Sequence, residues 1–144
     1  MEFDIKYLSD KKISSPILIE GLPGIGNVGK ITVDFIVENL KAEKIIEISS
    51  SNFPNVVFVN EKNLVDLPTI NIYHKKIKSQ DFLFLAGDTQ PNDEQSSYEL
   101  CYKLLDILVK YKTKEIVTTG GIGMPKIPKS PKIYCTGNSK EIIQ

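Results

Sequence analysis

Apolar and polar positions follow two rhythms along this chain, and the switches between them mark its elements. Short, nearly continuous apolar runs lie at residues 17–20, 45–49, 82–86 and 115–119. Runs of this length between glycine, proline and polar turns read as strands buried on both faces. Longer segments between them carry apolar residues at helical spacing. Residues 28–40 place Val28, Ile31, Phe35, Ile36 and Leu40 near that period, with Asn27 in the N-cap position. A second helix is expected from about residue 92 to Tyr111, opened by the pair Asn92 and Gln95. It would carry Cys101, Leu104, Leu105, Leu108 and Tyr111 on one face.

The middle of the chain has a different texture. Residues 56–59 and 69–73 read as strands of an antiparallel hairpin at one side of the main sheet. A lead-in strand is expected around residues 3–8 and a last one at 132–136. Alternating strands and helices predict an α/β fold with right-handed crossovers and a mostly parallel sheet. The loops after residues 20, 49, 87 and 119 then share one rim, where open sheets of this kind place ligand crevices. Near the end, Asn138 and Glu141 form a helix-start pair with room for one turn only. We therefore expect residues 1–144 to be a single α/β domain that is incomplete at its C-terminus, or to end in a tail that docks on a partner.

With 144 residues, 41% of them hydrophobic and 25% charged, the chain can bury one real core. A formal net charge of zero argues against broad steering toward nucleic acid or an anionic membrane. All 18 basic residues are lysines, so the bidentate guanidinium fork is missing. An anion site must use backbone amides, Lys30 or Lys126. Cys101 and Cys135 have neither disulfide-framework nor zinc-site spacing and are expected as small buried hydrophobes. The first residues do not resemble a signal peptide, and no apolar run approaches the roughly 20 residues that span a bilayer. The expectation is a cytoplasmic protein with no metal and no cofactor.

The glycine-rich stretch Gly21-Leu22-Pro23-Gly24-Ile25-Gly26-Asn27-Val28-Gly29-Lys30 joins the first confident strand to the first helix. Gly24, Gly26 and Gly29 satisfy G-x-G-x-x-G, and Glu47 follows about 20 residues later, as in dinucleotide-binding folds. That pattern, however, begins right at the strand end, and here Gly21-Leu22-Pro23 intervenes. The same residues nearly spell a P-loop, but Ile31 stands where Ser or Thr would hold magnesium. Two readings stay open. In one, the glycines let a tight corner form and let the helix approach the sheet. In the other, Gly24, Gly26, Asn27, Gly29, Lys30 and Asp88 form an anion or cofactor-binding site at a helix N-terminus.

Other features weigh less. Glu20 and Asp88 could pair across the rim as acid and base, or each could cap loop N–H groups. His74, the only histidine, has no recognisable nucleophile or acid partner and is expected as a solvated edge residue, with Lys75, Lys76 and Lys78 guarding the edge. No catalytic residue is assigned. The loop Gly123-Met124-Pro125-Lys126-Ile127-Pro128-Lys129 either offers stiff apolar contacts to a partner or simply crosses the rim.

Taken together, Ile19-Glu20-Gly21-Leu22-Pro23-Gly24-Ile25-Gly26-Asn27-Val28-Gly29, Gly87-Asp88-Thr89-Gln90-Pro91 and Gly120-Gly121-Ile122-Gly123, with Pro128-Lys129 and Pro131-Lys132-Ile133-Tyr134, resemble the PAC2 family. These are the archaeal relatives of proteasome assembly chaperone 2. The resemblance implies a three-layer α/β/α sandwich akin to nucleoside-phosphorylase-like folds. It also implies a homo-oligomer that binds proteasome subunits or related assemblies and needs no catalysis. Some archaeal members carry an ATP-grasp label, which keeps a nucleotide- or phosphate-binding enzyme or sensor as the alternative. Other members end in a hydrophobic–tyrosine–any-residue tail; this chain ends Glu141-Ile142-Ile143-Gln144. Family members also continue well past this point, which fits the expectation of an incomplete domain.

Overall fold

The computed structural model describes residues 3–143. The elements run β1 (Asp4–Tyr7), β2 (Ile17–Gly21), a 3-10 turn (Ile25–Asn27), α1 (Val28–Leu40), β3 (Glu43–Ser49), β4 (Phe58–Val59), β5 (Val65–Asp66), β6 (Ile70–Ile77), β7 (Gln80–Gly87), α2 (Glu94–Lys110) and β8 (Glu115–Thr118). Six strands form one mixed sheet in the order β1-β3-β6-β7-β2-β8, and β4 pairs with β5 in a separate small hairpin.

β2 pairs parallel with both β7 and β8, whereas β1–β3, β3–β6 and β6–β7 are antiparallel. It follows that four of the six strands (β3, β7, β2 and β8) point the same way, and β6 inserts between β3 and β7 against that direction. The cause is a two-residue turn, Lys78-Ser79, joining Ile77 to Gln80. Lys78 takes the left-handed conformation at φ 55°. Such turns favour Asn and Gly, so this one carries no sequence signal. Residues 70–73 thus belong to a central strand, β6. The hairpin expected from residues 56–59 forms instead with residues 65–66.

The sheet alternation sorts the core into two layers. On one face, Leu18, Ile46, Ile48, Ile70, Ile72, Leu83 and Leu85 pack with Leu100, Ile107 and Leu108 of α2. On the other, Phe84 and Ala86 meet Val33 of α1, flanked by Ile19, Ile36, Val37 and Leu40. The arrangement is an α/β/α sandwich with one helix on each face.

Several expected details change. Asp93, not Asn92, caps α2, its Oδ1 accepting from the Ser96 N–H at 2.9 Å. Cys101 and Cys135 are both exposed. Residues 132–136 form no strand, and Ile133 is 100% exposed. Among the described residues, no strand lies alongside them.

His74 is not on an edge. It sits in β6, buried, with Nε2 2.8 Å from Asp81 Oδ1. Burial alone would raise the Asp81 carboxyl, but the hydrogen bonds from His74 and the Ser14 N–H, with the charge of Lys76 behind them, hold it below the ordinary value. The unfolded chain then takes up this proton at higher pH than the folded one. The resulting stability is complete above the ordinary carboxylate value of 3.8 and is lost as pH falls through the folded value.

Two measurements check this account. Asp81→Asn should lose about 2 kcal/mol at pH 7 and flatten the loss of stability below about pH 4, read by urea titration at a series of pH values. A Cβ on Gly21 would lie 2.1 Å from the Gly29 carbonyl oxygen, and one on Gly29 would lie 2.4 Å from that of Thr119, whereas one on Gly24 meets nothing within 4 Å. Gly21→Ala and Gly29→Ala should each cost about 2 kcal/mol or more, and Gly24→Ala should stay within about 0.5 kcal/mol.

Candidate functional site

The C-terminal ends of β2, β3, β7 and β8 share one rim, and its loops are laced together. Thr119 donates both its N–H (2.9 Å) and its hydroxyl (2.8 Å) to the Glu20 carbonyl oxygen. The Asp88 N–H donates to the Thr69 carbonyl at 3.0 Å, and the Asn92 N–H to that of Asn52 at 3.2 Å. The Gln90 side-chain amide donates to the Pro23 carbonyl. These bonds satisfy loop groups that the rim would otherwise leave unpaired.

The six residues considered for anion binding separate into three environments. Gly24, Gly26 and Asn27 form the exposed corner before α1, with Gly26 at φ 63° and Asn27 at φ 51°. Asn27 occupies the N-cap position, but its side chain makes no cap hydrogen bond. Gly29 is buried against Thr119. Lys30 turns away from the corner, its ammonium 2.8 Å from Asp34 Oδ2, 3.7 Å from Asp88 Oδ1 and 3.1 Å from the Gly87 carbonyl oxygen. Lys30 and Asp88 therefore meet in a cleft that none of the glycines of the corner lines.

That cleft, about 680 Å³, lies on the α1 face of the sheet. α1 packs over β2 and β7. Beside it, β3 and β6 present polar residues on this face: Glu47 and Ser49, then Asn71 and Tyr73. Leu67 and the β4–β5 hairpin close the side. Burial raises the Tyr73 phenol above its ordinary value; Lys44 opposes this, while Asp34 and Asp88 add to it. Among the described residues, no three His, Cys, Asp or Glu side chains come close enough to hold a metal ion.

Glu20 and Asp88 do not form an acid–base pair. Glu20 shares the α2 side of β2 with Leu18, and its Oε1 accepts from the Leu22 N–H at 2.9 Å. Asp88 lines the cleft on the α1 side. What sequence reasoning missed is the polar floor made by Glu47, Ser49, Asn71 and Tyr73. The alternation of Asn71 and Tyr73 with Ile70 and Ile72 was its one visible sign.

The profile of the PAC2 family matches residues 18–144. The chain belongs to the PAC2 family. A solved structure of Pyrococcus furiosus PbaB, described as an archaeal proteasome activator, superposes with a TM-score of 0.81 at 35% identity, over 88% of this chain and 54% of that one. P. furiosus PbaA, described as an archaeal homolog of proteasome-assembly chaperone, gives 0.69 at 20% identity, over 89% and 52%. The uncharacterized protein MJ1210 of Methanocaldococcus jannaschii is 29% identical over all of this chain and 57% of its own length. The chain thus spans a little over half the length of these relatives. The two archaeal structures share the mixed α/β sandwich that the PAC2 resemblance implied. Among the described residues, no helix is long and apolar enough to cross a membrane.

One prediction tests the rim's electrostatics. Burial raises the Glu20 carboxyl above its ordinary 4.5, and the Leu22 N–H offsets this only in part. The folded chain then keeps this proton to higher pH than the unfolded one, so stability falls as pH rises through the folded value. Glu20→Gln keeps an acceptor for Leu22 and should raise the urea midpoint at pH 7, with the difference vanishing near pH 4.

Proposed function

We propose that this PAC2-family chain is a proteasome-assembly-chaperone-like binding protein, acting as a homo-oligomer on proteasome subunits or related assemblies. The observation that carries the reading is an apolar stripe on α1 that the domain itself leaves uncovered. Val28, Ile31 and Phe35 lie at spacings of three and four on the outer side of the helix, and Phe35 is 65% exposed. The inner side is already occupied by Gly29, Val33, Ile36, Val37 and Leu40. A helix apolar on both sides is a helix meant to be covered on both. Helix α2 repeats the pattern on the opposite face of the sandwich, where Tyr98, Tyr102, Leu105 and Val109 are exposed at spacings of four, three and four.

The post-β8 loop adjoins the first stripe. A Cβ on Gly121 would lie 3.1 Å from a Val28 methyl, so Ile122 and Met124, both exposed, extend from the start of α1. Two apolar faces on opposite sides suit a subunit that contacts its own copies with one face and a client with the other. Contiguous exposed apolar surface of this kind marks protein–protein sites. A proteasomal partner places the protein in the cytoplasm, with neither nucleic acid nor membrane in its role and no cofactor required.

The competing reading is a phosphate-bearing ligand on the backbone amides of the Gly24–Lys30 loop. It is favoured by the unused Asn27 side chain at the N-cap. It is disfavoured by the two carboxylates that already hold Lys30.

Native mass spectrometry of the protein with purified proteasome α and β subunits tests the proposal. The protein alone should be a homo-oligomer and should form a complex with free subunits or assembled rings. Phe35→Ser and Ile31→Ser should weaken one of these contacts tenfold or more, about 1.4 kcal/mol, while leaving the circular dichroism spectrum unchanged. A monomer that captures no subunit at micromolar concentration would overturn the reading, and calorimetric binding of phosphate or ATP at the Gly24–Lys30 loop would replace it.

A further inference from the structure

The β4–β5 hairpin combines a firmly held turn with uncovered sides. Asn60 closes the turn. Its Oδ1 accepts from the Lys62 and Leu64 N–H groups at 3.0 and 3.1 Å, its own N–H donates to the Leu64 carbonyl at 2.9 Å, and its Nδ2 donates to Asp66 Oδ2 at 2.9 Å. Asn63 takes the left-handed conformation, at φ 60°, that this residue type tolerates. Among the described residues, neither strand pairs with the six-stranded sheet. A two-stranded hairpin standing alone is at best marginally stable in water, so this one gains from being covered.

Its sides show what would cover it. Val59 and Val65 are directly opposite each other and share one face. Strand alternation puts Val57 and Leu67 on that same face, two residues further along. All four are between 54% and 70% exposed. Val65 and Leu67 also line the cleft beside α1, so this aliphatic face belongs to the α1 side of the sheet. From α1, Lys30 and Asp34 line the same cleft. Ile31 and Phe35 follow them in sequence, about 100° further round the helix, in the outer apolar stripe with Val28.

The areas decide what kind of partner fits. At these exposures the hairpin face and the α1 stripe together offer roughly 700 Å² of mostly apolar surface per chain, close to the roughly 800 Å² each partner buries in a standard interface. Either patch alone offers about half of that and falls short. A second copy of the chain brings both patches with it. Under two-fold symmetry, a stripe-on-face contact occurs twice, so one interface covers all four patches.

We propose that two copies of this chain pair through a two-fold axis, the Val28-Ile31-Phe35 stripe of one lying on the Val57-Val59-Val65-Leu67 hairpin face of the other. The inference rests on the homo-oligomer of the proposed function and names the surface that builds it. The preformed turn lowers the ordering cost of the contact. The α2 stripe on the opposite side of the sandwich stays free for a client.

Sedimentation velocity over a concentration series tests the pairing. The native protein should form a dimer or a larger assembly of dimers. The double substitution Val59→Thr and Val65→Thr keeps the β-branched shape and should weaken self-association at least tenfold with an unchanged circular dichroism spectrum. Adding Phe35→Ser to it should cost less than the two effects taken separately, because both changes act on one contact. Glu115→Gln, on edge strand β8, should change nothing. A second measurement spares the hairpin's fold. In a Cys101→Ser, Cys135→Ser background, a short bismaleimide should join Phe35→Cys chains to Val65→Cys chains far more readily than to Glu115→Cys chains. A native oligomer that survives the hairpin substitutions, or equal crosslinking at Val65→Cys and Glu115→Cys, would overturn this inference alone. A native protein that stays monomeric would overturn it together with the homo-oligomer on which it rests.

Discussion

The close approach of two backbones governs this structure. Gly29 of α1 lies against the Thr119 carbonyl, and Gly21 of β2 lies against Gly29. No Cβ fits at either contact. Because the helix and sheet touch main chain to main chain there, α1 is committed to β2 and β7 and enters from the β8 side of the rim. Two consequences follow from that one placement. The α1 face of β3 and β6 is left without a helix, and it is polar. The outer side of α1 is lifted clear of the sheet, and it is apolar.

Charge in the domain is arranged by compensation more than by accumulation. The lysine that the glycine loop seemed to offer to a phosphate is neutralised by Asp34 and Asp88. The lone histidine is partnered by Asp81 inside the sheet. Buried ionisable groups survive only when their partners are built in. Among the described residues, three buried side-chain oxygens lack a hydrogen-bond partner: Asn71 Oδ1, Glu99 Oε2 and Thr113 Oγ1.

Membership of the PAC2 family and the two exposed apolar stripes point the same way. Both support the proposed binding role: each helix is apolar on two sides, and the domain covers only one of them. In such a domain the glycine corner serves packing at Gly29 and backbone conformation at Gly26, where φ is 63°. Gly24 has open space around it, and nothing in the structure explains it.

The pattern of apolar residues was enough to set out the elements. The bounds of α1, the early strands and the rim follow from local period and turn chemistry, which act within a few residues. The glycine loop and its neighbours were also enough to suggest the family. What local pattern could not decide was which of two apolar sides each helix would bury. Val28, Ile31 and Phe35 fit the helical period as well as Val33 and Val37 did, and only the Gly29 contact turned the latter inward. Nor could it place β6, because the Lys78-Ser79 turn has no glycine or asparagine to announce it. Once β6 lay inside the sheet, His74 was buried beside Asp81, and Asn71 and Tyr73 joined Glu47 under one cleft. Sequence determines the periods that make helices and strands; which faces meet depends on contacts between residues far apart in the chain, and those exist only in the folded sheet.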